Sequence, residues 1–231
     1  MSPTTAIAEA YDRGRITFMG IELLVAPGAL VPRPETELLG YAAVKVLRSM
    51  DVATARVVDM CCGVGNLACA IAHHAPLTLV WASDLTRSCA EIARRNAVFH
   101  ALSDRVSVHQ GDLFAALTGL GLGGAIDLIV CNPPYISEKR LADDRAHLLN
   151  LEPREAFAAG PYGLSVHLRV IKDALAFLRP GGVLLLEVGL GQDRQVEMLF
   201  GRAKAYEEIR VIQNEAGEGR VVLGRRRAPH V

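Results

Sequence analysis

The sequence lacks the marks of several protein classes. Its opening residues, Met1-Ser2-Pro3-Thr4-Thr5, carry no basic segment followed by an apolar run, so no secretory signal is expected. Net charge is missing too: 25 Lys+Arg balance 25 Asp+Glu. That argues against holding nucleic acid by bulk electrostatics, which needs clustered Lys and Arg, although a local basic groove stays open. The longest stretch without Asp, Glu, Lys or Arg runs from Met60 to Ser83. Gly63, Gly65, Asn66, His73, His74 and Pro76 interrupt it, whereas a spanning helix needs about 20 predominantly apolar residues. It reads as buried structure, with no membrane partner expected.

Cysteine is scarce. Cys61, Cys62, Cys69, Cys89 and Cys131 are odd in number and contain no C-x-x-C spacing. They are expected to be reduced core thiols of a cytoplasmic protein, with no metal site. The seven histidines include no H-x-x-x-H pair, and nothing resembles the G-x-x-x-x-G-K-[ST] loop for nucleotide phosphates. Repeats and low-complexity linkers are missing as well.

What remains is an apolar chain of 231 residues, 51% hydrophobic. Such a chain buries about 70% of its unfolded surface without disulfide or metal staples, and its composition excludes intrinsic disorder. Strand-like and helix-like segments alternate, the pattern of an α/β fold. Two short runs from Ile16 to Val25 predict a small hairpin. A helix follows from Glu35 to Met50, with Leu38, Leu39, Ala42, Ala43, Val46, Leu47 and Met50 on one face. Strands are expected at 56–60, 77–83, 106–108, 126–131 and 183–188. Ser88 and Glu91 are spaced as a capping box for a helix over 88–100. Leu168, Ile171, Leu175 and Leu178 form the stripe of another helix, stopped by Pro180-Gly181-Gly182. A further helix is expected from Asp193 to Gly201. Ile209–Ile212 and Val221–Gly224 predict a closing antiparallel hairpin. His73-His74 read as dipole partners at a helix end, and Arg225-Arg226-Arg227 as a solvated basic tail. The sum is one doubly wound, mostly parallel sheet, which binds ligands at the strand C-termini.

Four of those C-termini carry suggestive residues. Asp59 precedes Cys61-Cys62-Gly63-Val64-Gly65. Glycines between a strand and a helix let a ligand approach the backbone, or simply make a tight turn. Asp84, ending the second strand, suits the two vicinal hydroxyls of a ribose, or else a helix N-terminus. Asp112, before Leu113 and Phe114, could accept from an adenine amino group or cap a helix. Asn132-Pro133-Pro134-Tyr135 is the sharpest signal. Two prolines stiffen the backbone and remove two N–H donors. The Asn132 side-chain oxygen and the Pro133 carbonyl can then accept both hydrogens of one planar –NH2 group, and Tyr135 offers a ring face to stack on it.

Asn132-Pro-Pro-Tyr135 after the fourth strand resembles the motif of S-adenosylmethionine (SAM)-dependent amino methyltransferases. Leu30-Val31-Pro32-Arg33-Pro34-Glu35-Thr36-Glu37 resembles the signature of the HemK/PrmC family, the glutamine N5-methyltransferases of peptide-chain release factors. Glu152-Pro153-Arg154-Glu155-Ala156-Phe157, with Gly160 and Gly163-Leu164, resembles that family's segment after the fourth strand. Pro180-Gly181-Gly182 through Glu187-Val188-Gly189 and Gln192 matches its fifth. The similarity covers residues 16 to 225.

The resemblance implies a Rossmann-like class I methyltransferase fold over 51–231, with residues 1–50 forming a hairpin and lid helix packed on that core. It implies SAM as cofactor and S-adenosylhomocysteine as product. The cofactor would lie on Asp59, Cys61 to Gly65, Asp84, Asp112, Leu113 and Asn132. Asn132, Pro133, Pro134 and Tyr135 would be catalytic, with Arg33 and Glu37 on the lid. The acceptor implied is a protein glutamine, alternatively a small-molecule or peptide amide or amine; neutral charge weighs against DNA or RNA.

Two departures stand out. Cys61 occupies a place where the family usually has glycine. The family also carries a small helical domain before the hairpin, whereas only about fifteen residues precede it here, too few for a domain.

Overall fold

The computed structural model describes residues 3–136, 152 and 163–228. The chain begins with helix α1 (Pro3–Arg13), which the sequence pattern did not announce, and a hairpin of β1 (Arg15–Phe18) and β2 (Ile21–Leu24). A 3-10 turn (Pro34–Thr36) leads into α2 (Glu37–Arg48). Then come β3 (Ala55–Met60), α3 (Asn66–His74), β4 (Thr78–Asp84), α4 (Arg87–Phe99), β5 (Val106–Gln110) and β6 (Ile126–Cys131). After the undescribed stretch follow α5 (Ser165–Asp173), β7 (Leu178–Glu187), α6 (Asp193–Ala203), β8 (Tyr206–Gln213) and β9 (Gly219–Arg226).

Seven strands form one sheet in the order β5-β4-β3-β6-β7-β9-β8. Strands β3 to β7 run parallel, while β9 pairs antiparallel with β7 and β8. The expected doubly wound sheet with its closing hairpin is what forms. Helices cover both faces, so the central strands are near-continuously apolar, as buried parallel strands must be. Successive residues divide between the two layers. Val57, Leu128 and Leu185 pack toward α2, α3 and α4. Val58, Ile129 and Leu184 pack toward α5 and α6. From β3 the chain winds outward through β4 to β5, then returns to β6 on the other side of β3. The switch point therefore lies between the C-termini of β3 and β6, where Met60 pairs with Cys131.

Three expectations change. The helical stripe ending at Leu178 breaks earlier: α5 stops at Asp173, a 3-10 turn covers Ala174–Ala176, and Leu178 already pairs with Ile126. Pro180-Gly181-Gly182 lies inside β7, where a register shift opposite 126–128 and a positive φ at Gly181 absorb it. The capping box gives way to Thr86, whose hydroxyl accepts from Cys89 N at 3.3 Å. Helix α4 starts one residue before Ser88, which instead donates to Gly28 O at 2.7 Å, while Glu91 pairs with Arg87. The basic tail belongs to the sheet, at the end of β9 between β7 and β8. Arg225 binds Gly181 O and Glu208, Arg226 binds Leu178 O, and Arg227 binds Tyr206 O.

The N-terminal elements are fastened by buried polar side chains. Asn96 of α4 donates to Leu24 O at 2.9 Å and Val64 O at 2.8 Å, and accepts from Leu24 N at 2.7 Å. It thus joins the hairpin to the loop after β3. His74, in the last turn of α3, meets Met19 O at 2.7 Å. All five cysteines are free thiols, and all but Cys61 are buried. Among the described residues no helix is long and apolar enough to cross a membrane, and no His/Cys/Asp/Glu group has a metal-binding arrangement.

Candidate active site

At the switch point the loops after β3, β4, β5 and β6 surround a cavity of ≈ 360 Å³. The 30–36 strap and α5 close its sides. Cys61, Cys62, Gly63, Asp84, Asp112, Leu113, Asn132, Pro134 and Arg33 all line it, so residues spread over a hundred positions meet in one place.

The loop after β3 is a left-handed turn. Cys61, Gly63 and Gly65 have φ of 59°, 54° and 78°. Gly65 is required doubly, since a Cβ there would meet Ala93 Cβ at 3.0 Å. The turn hangs on Asp84, whose Oδ2 accepts from Gly63 N at 2.9 Å and whose Oδ1 accepts from Thr86 N at 3.0 Å. Oδ1 also accepts from Thr86 Oγ1 at 3.2 Å, so Oδ2 is the oxygen that keeps a lone pair for a ligand hydroxyl.

Asp59 does not line the cavity. It is fully buried beneath the loop, and its Oδ2 accepts from Ala68 N in the first turn of α3 at 2.9 Å. Its Oδ1 has no partner among the described residues. Burial pushes its pKa up to about 8, against the opposing Ala68 bond. Val64 and Gly65 are also buried behind the surface, Val64 against Ile7, Val25 and Ile92.

The far wall is polar at its ends. Asp112 pairs across the mouth with Arg169 of α5 at 2.7 Å, both half-exposed. Asp112 precedes a 3-10 turn and makes no side-chain cap there. Leu67, Cys89 and Leu113 supply apolar surface. This combination suits a nucleoside carrying an amino-acid tail: two carboxylates for hydroxyl and amino groups, an apolar slot for a flat ring, and turn amides near α3 for a carboxylate.

The opposite end of the cavity is built around Asn132. Its Nδ2 donates to Thr36 Oγ1 at 3.1 Å, which leaves Oδ1 as the acceptor without a partner among the described residues. Pro133 is buried behind it and Pro134 lines the cavity. Tyr135 is held from several sides. Its carbonyl accepts from Gln192 Nε2 at 3.0 Å, and Gln192 Oε1 accepts from Gly189 N at 3.0 Å. A Cβ on Gly163 would collide with that carbonyl. Burial pushes the Tyr135 hydroxyl up to about 12.

Arg33 reaches from the cavity wall to Glu152, which is buried and also accepts from Val31 N at 2.9 Å. Glu37 points elsewhere: its carboxylate accepts from Met19 N at 2.7 Å and clamps the hairpin turn. Pro153, Arg154, Glu155, Ala156, Phe157 and Gly160 lie outside the described residues. Thr36, Arg169, Arg220 and Asn96 were not singled out from sequence. Thr36 stood inside the 30–37 motif, and its pairing with Asn132 spans 96 positions.

Comparisons with known proteins agree with this fold. The family model described as methyltransferase small domain matches residues 41–160. The chain is 36% identical to the release factor glutamine methyltransferase of Moorella thermoacetica, over 94% of this chain and 74% of that protein. It is also 36% identical to the ribosomal protein uL3 glutamine methyltransferase of Bradyrhizobium diazoefficiens, over 82% and 60%. Among solved structures, the release factor-specific protein-(glutamine-N5) methyltransferase of Alicyclobacillus acidocaldarius superposes with a TM-score of 0.51. It is 26% identical and covers 88% of this chain and 99% of that one. With its sheet order, its switch-point cavity and these relatives, the chain belongs to the HemK/PrmC family of methyltransferases.

Proposed function

We propose that this enzyme transfers the methyl group of SAM to the side-chain nitrogen N5 of a protein glutamine, most directly that of a peptide-chain release factor. The observation that carries the acceptor class is the Asn132 carboxamide. Its nitrogen is engaged by Thr36, so its oxygen is the group offered to the cavity beside Pro134. A side-chain oxygen and the adjacent Pro133 carbonyl are the acceptors a planar –NH2 needs.

SAM, when bound, supplies an electrophilic sulfonium methyl and departs as S-adenosylhomocysteine. Asp84 would hold its ribose and Asp112 with Leu113 its adenine. Cys61 to Gly65 would carry the amino-acid end, with Asp59 fixing that loop from beneath. An amide nitrogen is a poor nucleophile because its lone pair is delocalised, so orientation must supply much of the rate. Asn132 and Pro133 grip the two hydrogens and aim the nitrogen, and those bonds strengthen as positive charge develops on it. Tyr135 fixes the amide plane. The methylated nitrogen then gives one proton to water. The strap bearing Arg33, with the hairpin clamped by Glu37, would form the lid over residues 51–231. We place the reaction in the cytoplasm, where five free thiols stay reduced.

The test is transfer of tritiated methyl from SAM to purified release factor, with peptide mapping of the label. Label on glutamine supports the reading. Label on a ribosomal protein instead would redirect the acceptor, as the Bradyrhizobium relative suggests. Label confined to nucleic acid or metabolites would overturn it.

A further inference from the structure

Glu152 has no task in the reaction as described, yet its carboxylate is fully buried. A buried charge costs stability unless it is paired and hydrogen-bonded, and this one is both. Its Oε1 accepts from Val31 N at 2.9 Å, and its Oε2 pairs with Arg33 Nη2. Arg33 Nη1 donates back to Val31 O at 3.0 Å. Three bonds thus close a ring that ties Val31 and Arg33 to a side chain 121 and 119 positions away.

Two further bonds carry that ring to the Asn132 carboxamide. Arg33 O accepts from Thr36 N at 3.1 Å, which closes the 3-10 turn, and Thr36 Oγ1 accepts from Asn132 Nδ2 at 3.1 Å. Pro32 and Pro34 flank Arg33 and fix φ on either side of it. A displacement at the ring therefore passes to Thr36 with little backbone freedom to absorb it. The remaining strap ties go elsewhere. Ser88 of α4 donates to Gly28 O and Tyr11 of α1 to Ala29 O, each at 2.7 Å, and Glu37 accepts from Met19 N. Of these ties, the ring alone uses a residue that follows Asn132-Pro-Pro-Tyr135 in the chain.

We propose that Glu152 is a positioning residue for methyl transfer. Through Arg33 and Thr36 it fixes the Asn132 carboxamide with Oδ1 toward the methyl acceptor. This rests on the reading of Asn132 as the acceptor grip. When the ring gives way, Thr36 shifts and Asn132 loses the partner that sets its nitrogen apart from its oxygen. Misplacing a group that orients a reacting atom lowers the rate far more than it weakens binding elsewhere in the cavity.

The test is a double-mutant cycle, read as methyl transfer to purified release factor at saturating SAM. Glu152→Gln is nearly isosteric, leaves an acceptor for Val31 N and removes the charge facing Arg33. Thr36→Val removes the hydroxyl that Asn132 meets. Each should lower kcat by about tenfold or more, with the SAM Kd within a few-fold of wild type. The double variant should be no slower than Thr36→Val alone, because Glu152 acts through that hydroxyl. Losses that multiply would reveal a general stabilising role and overturn the proposal, as would Glu152→Gln at wild-type kcat. Where Glu152→Gln does not fold, Arg33→Met, at a side chain 21% exposed, takes its place in the cycle. In the wild type, the Val31 and Thr36 amides should be protected from hydrogen exchange; free exchange at both overturns the proposal without any variant. Asn132→Ala separates the two readings. If it is dead while Glu152→Gln matches wild type, this proposal fails and the Asn132 reading stands. A fully active Asn132→Ala sinks both.

Discussion

In the proposed reading one end of the cavity holds the cofactor and the other the methyl acceptor, and the two ends are built differently. The cofactor end is local. Cys61 to Gly65, Asp84 and Asp112 each sit within a few residues of a strand end, and Asp84 holds the turn amides of Gly63 and Thr86, with Asp112 alone pairing with a distant residue, Arg169. The acceptor end is assembled from afar. Asn132 meets Thr36, 96 positions away, and Tyr135 is held by Gln192, 57 positions away. A loop that binds a common cofactor needs only amides and a carboxylate, which a turn supplies. A site that must tell the two hydrogens of an amide from its oxygen needs its own donors and acceptors fixed, and only packing can fix them.

The sharpest break between the ends is Asn132→Ala. It should cut methyl transfer by about 10²–10³-fold or more while SAM affinity, measured by calorimetry, stays within a few-fold. Equal loss of both would erase the division. Asp84→Ala probes the other end. It removes a charged acceptor and the tether of Gly63, each such bond contributing about 1.5–3 kcal/mol. The SAM Kd should rise by about 10–100-fold, with kcat at saturating SAM changing far less.

Asp59 offers a subtler contrast, because it supports the cofactor end without touching ligand. Its carboxyl is raised to about 8 when folded and is 3.8 when free. The folded protein keeps a proton there that the unfolded chain has lost, so stability falls as pH rises toward 8, by up to about 1.4 kcal/mol per unit for one proton. Glu187, raised to about 7, adds to the lower part of that fall. His167, lowered to about 4, works oppositely but only below 6.5. Melting temperature should therefore decline from pH 6.5 to 8, and Asp59→Asn should flatten the decline. A slope identical to wild type would show that Asp59 is ionised throughout.

The smallest effect concerns Cys61, a side chain at φ 59°. Cys61→Gly should relieve left-handed strain and stabilise the fold by about 1 kcal/mol or less, offset in part by glycine's greater unfolded entropy. Thermal melting checks it, and SAM binding should not weaken. Marked destabilisation would mean that the thiol's packing toward Met60 and Cys131 outweighs the strain.

How far the sequence reached follows the same division. The strand at 126–131 is legible to the residue, because six buried positions, all apolar but Asp127, end at an unmistakable Asn-Pro-Pro. The start of β7 was misread as helix, because Leu168, Ile171, Leu175 and Leu178 do keep helical spacing. Sheet pairing of Leu178 with Ile126 overrode it. Arg225 to Arg227 looked solvated because a charge run carries no sign of the carbonyls it will meet. Glu37 was grouped with Arg33 by a shared motif, yet the two side chains diverge once the strap enters α2.

By itself the sequence determined the α/β winding, the five strand ends and the residue types that meet there. Hydrophobic period and turn residues are local properties, written within a few positions of one another. Only the tertiary structure decided that Asp59 is buried below the loop, that Arg169 claims Asp112, that Thr36 meets Asn132 and that Glu187 pairs with Arg220. The Asp112–Arg169 and Thr36–Asn132 contacts join residues 57 and 96 positions apart. Their energies depend on burial and on which hydrogen bonds remain unmade, and neither exists until the layers close.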